Sequence, residues 1–127
     1  MTKILFIEDN QHLVETYDFL FTQQGYQVLW AHDGLEGLNL ANTENPDVII
    51  LDMMMPLLSG IDFLKQYDVK NLHPDAKIIA FSNMQTDEYI HEAIQLGVLK
   101  YEIKSNFSPK KLVALVMDVL GDTSTTT

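Results

Sequence analysis

Three short runs, Ile4-Leu5-Phe6-Ile7, Val48-Ile49-Ile50-Leu51 and Ile78-Ile79-Ala80-Phe81, are apolar at every position. A strand with one wet face alternates apolar and polar residues. An unbroken run therefore marks a strand covered on both faces, the setting of a parallel sheet between helical layers. These three are expected to be central strands. Val28-Leu29-Trp30 is more mixed, and in the last run Leu99, Tyr101 and Ile103 alternate with Lys100 and Glu102, which suits edge strands with a charged rim.

Between the strands, apolar residues recur with helical spacing: Leu13, Val14, Tyr17, Leu20 and Phe21; Leu35, Leu38 and Ala41; Ile61, Leu64 and Tyr67; Ile90, Ala93 and Ile94; Leu112, Val113, Val116, Val119 and Leu120. Five helices are expected to follow five strands. Gly25, Gly97 and Gly121 fall where helices should stop, and Ser108-Pro109 reads as an N-cap followed by proline in the first turn. Strict βα alternation with right-handed crossovers predicts an α/β fold, a doubly wound (βα)5 five-stranded parallel sheet in the order 2-1-3-4-5. One domain over residues 1–121 is expected, with a disordered Thr-rich tail over 122–127. In such a sheet the functional crevice lies at the carboxyl ends of the strands, where the strand order reverses.

Every strand expected to face that crevice delivers a polar group to it. Glu8-Asp9 follow the first strand, Asp52 the third, Ser82 the fourth and Lys104 the fifth. Three clustered carboxylates repel by about 4 kcal/mol per close pair at an effective dielectric of about 20, so they call for a cation or for raised pKa values. Mg²⁺ takes a few carboxylate oxygens, keeps several waters and completes its shell with phosphate oxygens. Asp52, alone at the end of a buried strand, is the candidate nucleophile for an aspartyl phosphate. Mg²⁺, the Lys104 ammonium and the Ser82 hydroxyl would then stabilise charge on the transferring phosphoryl group. Taken singly, these residues also have plainer roles: Glu8-Asp9-Asn10 could cap the first helix, Ser82 could be a cap, and Lys104 a solvated charge. Met53, Met54 and Met55 read as loop or core filler, because a thioether is a poor Mg²⁺ ligand, although a backbone carbonyl from the loop is available. His12, His32, His73 and His91 have no metal-ligand spacing.

Composition narrows the partners. Eight lysines, no arginine and eighteen acidic residues give a net charge of -10, which repels nucleic-acid backbones and anionic lipid. No direct nucleic acid and no membrane contact are expected. No run reaches the about 20 apolar residues needed to span a bilayer. Without cysteine there is no disulfide, thiolate site or cysteine nucleophile, and a cytoplasmic location is expected.

From Lys3 to about Leu120 the chain resembles the receiver domain of two-component response regulators, a flavodoxin-like fold. The likeness rests on Glu8-Asp9, on Asp52-Met53-Met54-Met55-Pro56 with Gly60 beyond it, on Ser82, and on Tyr101-Glu102-Ile103-Lys104. It implies that a histidine kinase or a histidine phosphotransfer protein phosphorylates Asp52, with Glu8, Asp9, Asp52 and the Met54 backbone carbonyl holding Mg²⁺. It also implies that Ser82 and Tyr101 act as a switch. They would reshape the face of the fourth helix, fifth strand and fifth helix for a downstream protein target or a homodimer mate. Tyr101 also reads simply as an edge-strand aromatic. No enzymatic activity is expected beyond self-phosphorylation and slow autodephosphorylation.

Two positions depart from the family pattern. The lysine is usually followed by proline in a cis peptide, whereas Ser105 follows Lys104, and a trans bond with a somewhat different aim of Lys104 is expected. The residue after the switch hydroxyl is usually small, whereas Asn83 could narrow access to Asp52. These departures support an alternative, a pseudo-receiver adaptor that is never phosphorylated. A flavin carrier is disfavoured because Glu8 and Asp9 stand where a phosphate-binding loop is needed. A phosphatase is disfavoured because Met54 stands where a second aspartate is needed.

Overall fold

The computed structural model describes residues 1–122. The apolar runs form β1 (Lys3–Ile7), β3 (Val48–Leu51) and β4 (Lys77–Ser82), flanked by β2 (Gln27–Ala31) and β5 (Val98–Ile103). All pairings are parallel and the order is β2-β1-β3-β4-β5, as expected from the alternation.

Side chains alternate between two cores, which explains why the central runs contain no polar residue. Leu5, Ile7, Ile49, Leu51, Ile78 and Ala80 point to one face, against α2 (Gly34–Glu44), α3 (Gly60–Tyr67) and α5 (Asp87–Gln95). Ile4, Phe6, Val48, Ile50, Ile79 and Phe81 point to the other, against α1 (Gln11–Gln23) and α6 (Pro109–Leu120). Each fully buried Ile, Leu or Phe contributes about 1.5–3 kcal/mol of transfer free energy, so the strand order is secured from both sides.

Among the described residues there are six α-helices where five were expected. A single turn, α4 (Val69–Leu72), follows α3 after Asp68, whose φ of 51° breaks the helix, and a 3₁₀ turn over Lys104–Asn106 follows β5. The expected fourth and fifth helices are therefore α5 and α6. The caps agree with the sequence: Ser108 Oγ accepts from the Lys111 N–H, and Gly121 closes α6 at a φ of 79°.

Two local expectations are corrected. Leu35, counted on the apolar stripe of α2, is exposed, while Gly34, Gly37 and Ala41 face inward. A Cβ on Gly37 would lie 2.7 Å from Ile7 Cδ1, so glycine lets this helix approach β1 more closely than a leucine stripe allows. Leu99 is also exposed, because the pairing steps from Ile78↔Val98 to Ile79↔Lys100 and leaves it unpaired in a bulge. Of the expected tail, residues 123–127 lie outside the described residues. Asp122 belongs to the fold: its N–H donates to the Met117 carbonyl at 2.8 Å, and its carboxylate accepts from the Tyr26 hydroxyl at 2.5 Å.

Candidate functional site

The residues after β1, β3, β4 and β5 meet at one rim of the sheet. Glu8 and Asp52 are buried, Ser82 is fully buried and Asp9 is exposed. Carboxylate oxygens of Glu8, Asp9 and Asp52 lie within 4.8 Å of one another. The Lys104 ammonium lies 2.5 Å from Glu8 Oε1 and 3.2 Å from Asp52 Oδ2. The four strand ends thus converge although Glu8 and Lys104 are far apart in the chain.

Each group is held by its own local structure. Asn10, not the acidic pair, caps α1 by accepting from the Leu13 N–H, which leaves both acids turned to the rim. Glu8 Oε2 accepts from the Asn10 N–H, and the Glu8 carbonyl accepts from Trp30 Nε1 at 2.7 Å. Asp52 Oδ1 accepts from the Met54 N–H at 3.0 Å, and Ser82 Oγ accepts from the Met84 N–H at 3.2 Å. Gly60 closes the β3–α3 loop: its N–H donates to the Met53 carbonyl, and a Cβ there would lie 2.6 Å from Met53 Sδ. Met53 and Met55 are the expected core filler, whereas Met54 is exposed beside a cavity of about 380 Å³ that Asp52, Ser82, Asn83, Met84 and Lys104 also line.

Burial raises the pKa of Glu8 above the usual carboxylate value, against the opposing pull of Lys104. Burial also disfavours the charged Lys104. Its hydrogen bond to Glu8 and the charges of Asp52 and Glu8 outweigh that effect, so its pKa is raised and it remains an ammonium. Three carboxylates against one ammonium leave two negative charges, and all donors in the cluster are hard oxygens. That donor set and that residual charge fit a divalent cation such as Mg²⁺.

Tyr101 is half-buried and donates to the Met84 carbonyl at 2.8 Å, and burial pushes its pKa up to about 12. No cis peptide bond occurs among the described residues, and the trans Lys104–Ser105 bond still aims the ammonium at Asp52. His12, His32 and His91 are exposed, and His73 stacks on Tyr67 away from the rim. Sequence reasoning missed two neighbours of the site, Trp30 and Tyr89, whose hydroxyl donates to the Met53 carbonyl, and it did not foresee that the Ser105 N–H donates to Asn83 Oδ1. Their residue types carry no spacing signal; only the fold brings them to the rim.

A parallel 2-1-3-4-5 sheet with an acidic triad and a lysine at its carboxyl rim defines a receiver-type domain. The family model for the response regulator receiver domain matches residues 4–117, and the chain belongs to that family, the receiver domains of two-component response regulators. It is 34% identical over 118 residues to the alkaline phosphatase synthesis transcriptional regulatory protein PhoP of Bacillus subtilis, covering 93% of this chain and 48% of that protein. The chain thus spans about half the length of the curated relatives it matches. Among solved structures, the chemotaxis protein CheY4 of Vibrio cholerae superposes with a TM-score of 0.83 at 27% identity, covering 94% of this chain and 98% of that one. The receiver domain of the Francisella response regulator 1452 superposes with a TM-score of 0.79 at 33% identity, covering 91% and 93%.

Proposed function

We propose that this receiver domain is phosphorylated on Asp52 by a histidine kinase or a histidine phosphotransfer protein in a Mg²⁺-dependent reaction, and that the phosphorylated form acts through protein contacts. The observation that carries the reading is the Lys104 ammonium within reach of both Glu8 and Asp52 at the mouth of a cavity that also contains Ser82. Glu8, Asp9, Asp52 and the Met54 carbonyl would hold the cation, which supplies positive charge to the phosphoryl oxygens. An oxygen of Asp52 attacks phosphorus as the P–N bond to the donor imidazole breaks, and the ring, already protonated on its other nitrogen, leaves as neutral imidazole. Lys104 and the Ser82 hydroxyl neutralise the equatorial oxygens of the group in transit.

The adduct would place new acceptor oxygens beside Ser82, which lines the same cavity as Asp52. Ser82 would exchange its bond from the Met84 N–H for one to phosphate, and Tyr101 would follow, altering the face of α5, β5 and α6. A hundredfold shift of such an equilibrium needs about 2.7 kcal/mol of differential stabilisation. The target of that face is a downstream protein or a second copy of the chain. The relative PhoP is named as a transcriptional regulatory protein, but the acidic surface here favours a protein contact over direct contact with DNA. Among the described residues no helix is long and apolar enough to cross a membrane. The expected cytoplasmic location belongs to this reading.

Intact mass spectrometry after incubation with acetyl phosphate and Mg²⁺ tests it. One phosphoryl adduct is expected on the wild type and none on Asp52→Asn. An unmodified wild type that also shows no amide shift with beryllofluoride at Ser82 and Tyr101 supports the adaptor reading instead.

A further inference from the structure

The β4–β5 ladder ends at the pair Ser82↔Ile103. Just past it one more bond crosses between the strands: the Ser105 N–H donates to Asn83 Oδ1 at 3.1 Å. Because the donor is an N–H, it is the oxygen of the Asn83 amide that faces Ser105. The carbonyl of the same peptide unit, that of Lys104, accepts from the Phe107 N–H at 3.1 Å and closes the 3₁₀ turn. Both polar groups of the Lys104–Ser105 peptide are therefore tied, one of them by a side chain from the loop that follows Ser82.

We infer that Asn83 is a positioning residue for Lys104: it holds the peptide from which the lysine side chain springs, so that the ammonium meets the group on Asp52. The inference rests on the reading of Asp52 as phosphoacceptor. A lysine side chain is flexible, and its aim depends on a fixed origin. Charge stabilisation in phosphoryl transfer depends on a donor already in place when charge develops. Without the side-chain acceptor, the exposed Ser105 N–H turns to water and the 3₁₀ turn is held only by the bond from Phe107. Asn83 and Ser105, the two departures from the pattern the sequence resembles, are the two halves of this one bond. Proline at position 105 would have no N–H to give, and a small residue at position 83 would have no acceptor.

Asn83 also lines the cavity over Asp52, so removing its side chain widens the entrance. The two roles predict opposite signs, which makes the test decisive. With acetyl phosphate and Mg²⁺, Asn83→Ala should form the adduct about fivefold more slowly, the effect of one solvent-exposed hydrogen bond. Its thermal midpoint should stay near that of the wild type, since the side chain is exposed. The same substitution made in the Lys104→Ala background, and again in the Ser105→Pro background, should slow the adduct less than twofold. In the first the group being aimed is gone, and in the second the donor is gone. An unchanged or faster Asn83→Ala, or a fivefold loss that persists in either background, overturns the inference. Absence of any adduct on the wild type overturns the phosphoacceptor reading, and this inference falls with it. An adduct on the wild type with equal rates for Asn83→Ala overturns the role of Asn83 alone.

Discussion

The Tyr89 hydroxyl, in the first turns of α5, donates to the Met53 carbonyl at 3.1 Å and so ties that helix to the residue following Asp52. The same carbonyl accepts from the Gly60 N–H, which makes it a junction between the β3–α3 loop and α5. Tyr89→Phe keeps the ring and removes only the donor. It should lower stability by about 1 kcal/mol with an unchanged denaturant slope, as urea unfolding would measure.

Trp30, the single tryptophan, bonds through Nε1 to the Glu8 carbonyl and so reports on the acidic cluster. Its emission should respond to Mg²⁺, and Glu8→Gln should weaken the apparent affinity by about tenfold or more. Because burial raises the Glu8 pKa, protons would compete with a cation for this carboxylate above the usual carboxylate range. Apparent Mg²⁺ affinity should therefore fall as pH is lowered through the raised value, as fluorescence titrations across pH would show.

Met54 and Met84 line the cavity above Asp52, and neither side chain can accept a proton from water or orient it. Autodephosphorylation should be slow, with a phosphoryl lifetime of hours. Loss of radiolabel within a minute at neutral pH, with no phosphatase present, would contradict this.

Tyr17 and Tyr67 are buried, and burial pushes each pKa up to about 12 from an ordinary value of 10. The folded chain holds these protons more tightly than the unfolded chain does. Their contribution to stability is thus intact below pH 10 and lost as pH rises from 10 towards 12. Tyrosinate absorbance should rise together with loss of the folded far-ultraviolet signal. Ionisation that is complete while the fold persists would show that these hydroxyls are accessible.

Leu57 adopts a φ of 71° at the centre of a tight turn in which the Leu58 N–H donates to the Pro56 carbonyl at 2.8 Å. That left-handed conformation is costly for a side chain with a Cβ, and Leu57 is 75% exposed, so little packing offsets the cost. Leu57→Gly should raise stability by about 0.5 to 1 kcal/mol after the added freedom of the unfolded chain is counted, and Leu57→Val should lower it. Thermal unfolding of the pair against wild type reads both signs.

Much of the architecture was legible because periodicity reports burial directly. The unbroken runs Ile4–Ile7, Val48–Leu51 and Ile78–Phe81 are two-sided, and the observed sheet buries both sides. The acidic pair, Asp52, Ser82 and Lys104 were legible as a group because strand ends in a parallel sheet share one rim. Leu35 and Leu99 misled because helical and strand spacing say which residues share a face, not how closely a neighbour approaches. Gly37 against Ile7 and the bulge at Leu99 are decided by that approach.

Local order along the chain settled the strand and helix types, the covering of the central strands and the identity of the rim residues, since each depends on near neighbours or on a period. Only the folded arrangement decided that Lys104 bonds to Glu8, that Trp30 and Tyr89 hold the backbone beside the acids, and that Asn83 meets Ser105. Those contacts join residues far apart in the chain, and directional bonds of about 3 Å depend on twist, bulges and loop closure, which no periodic pattern encodes.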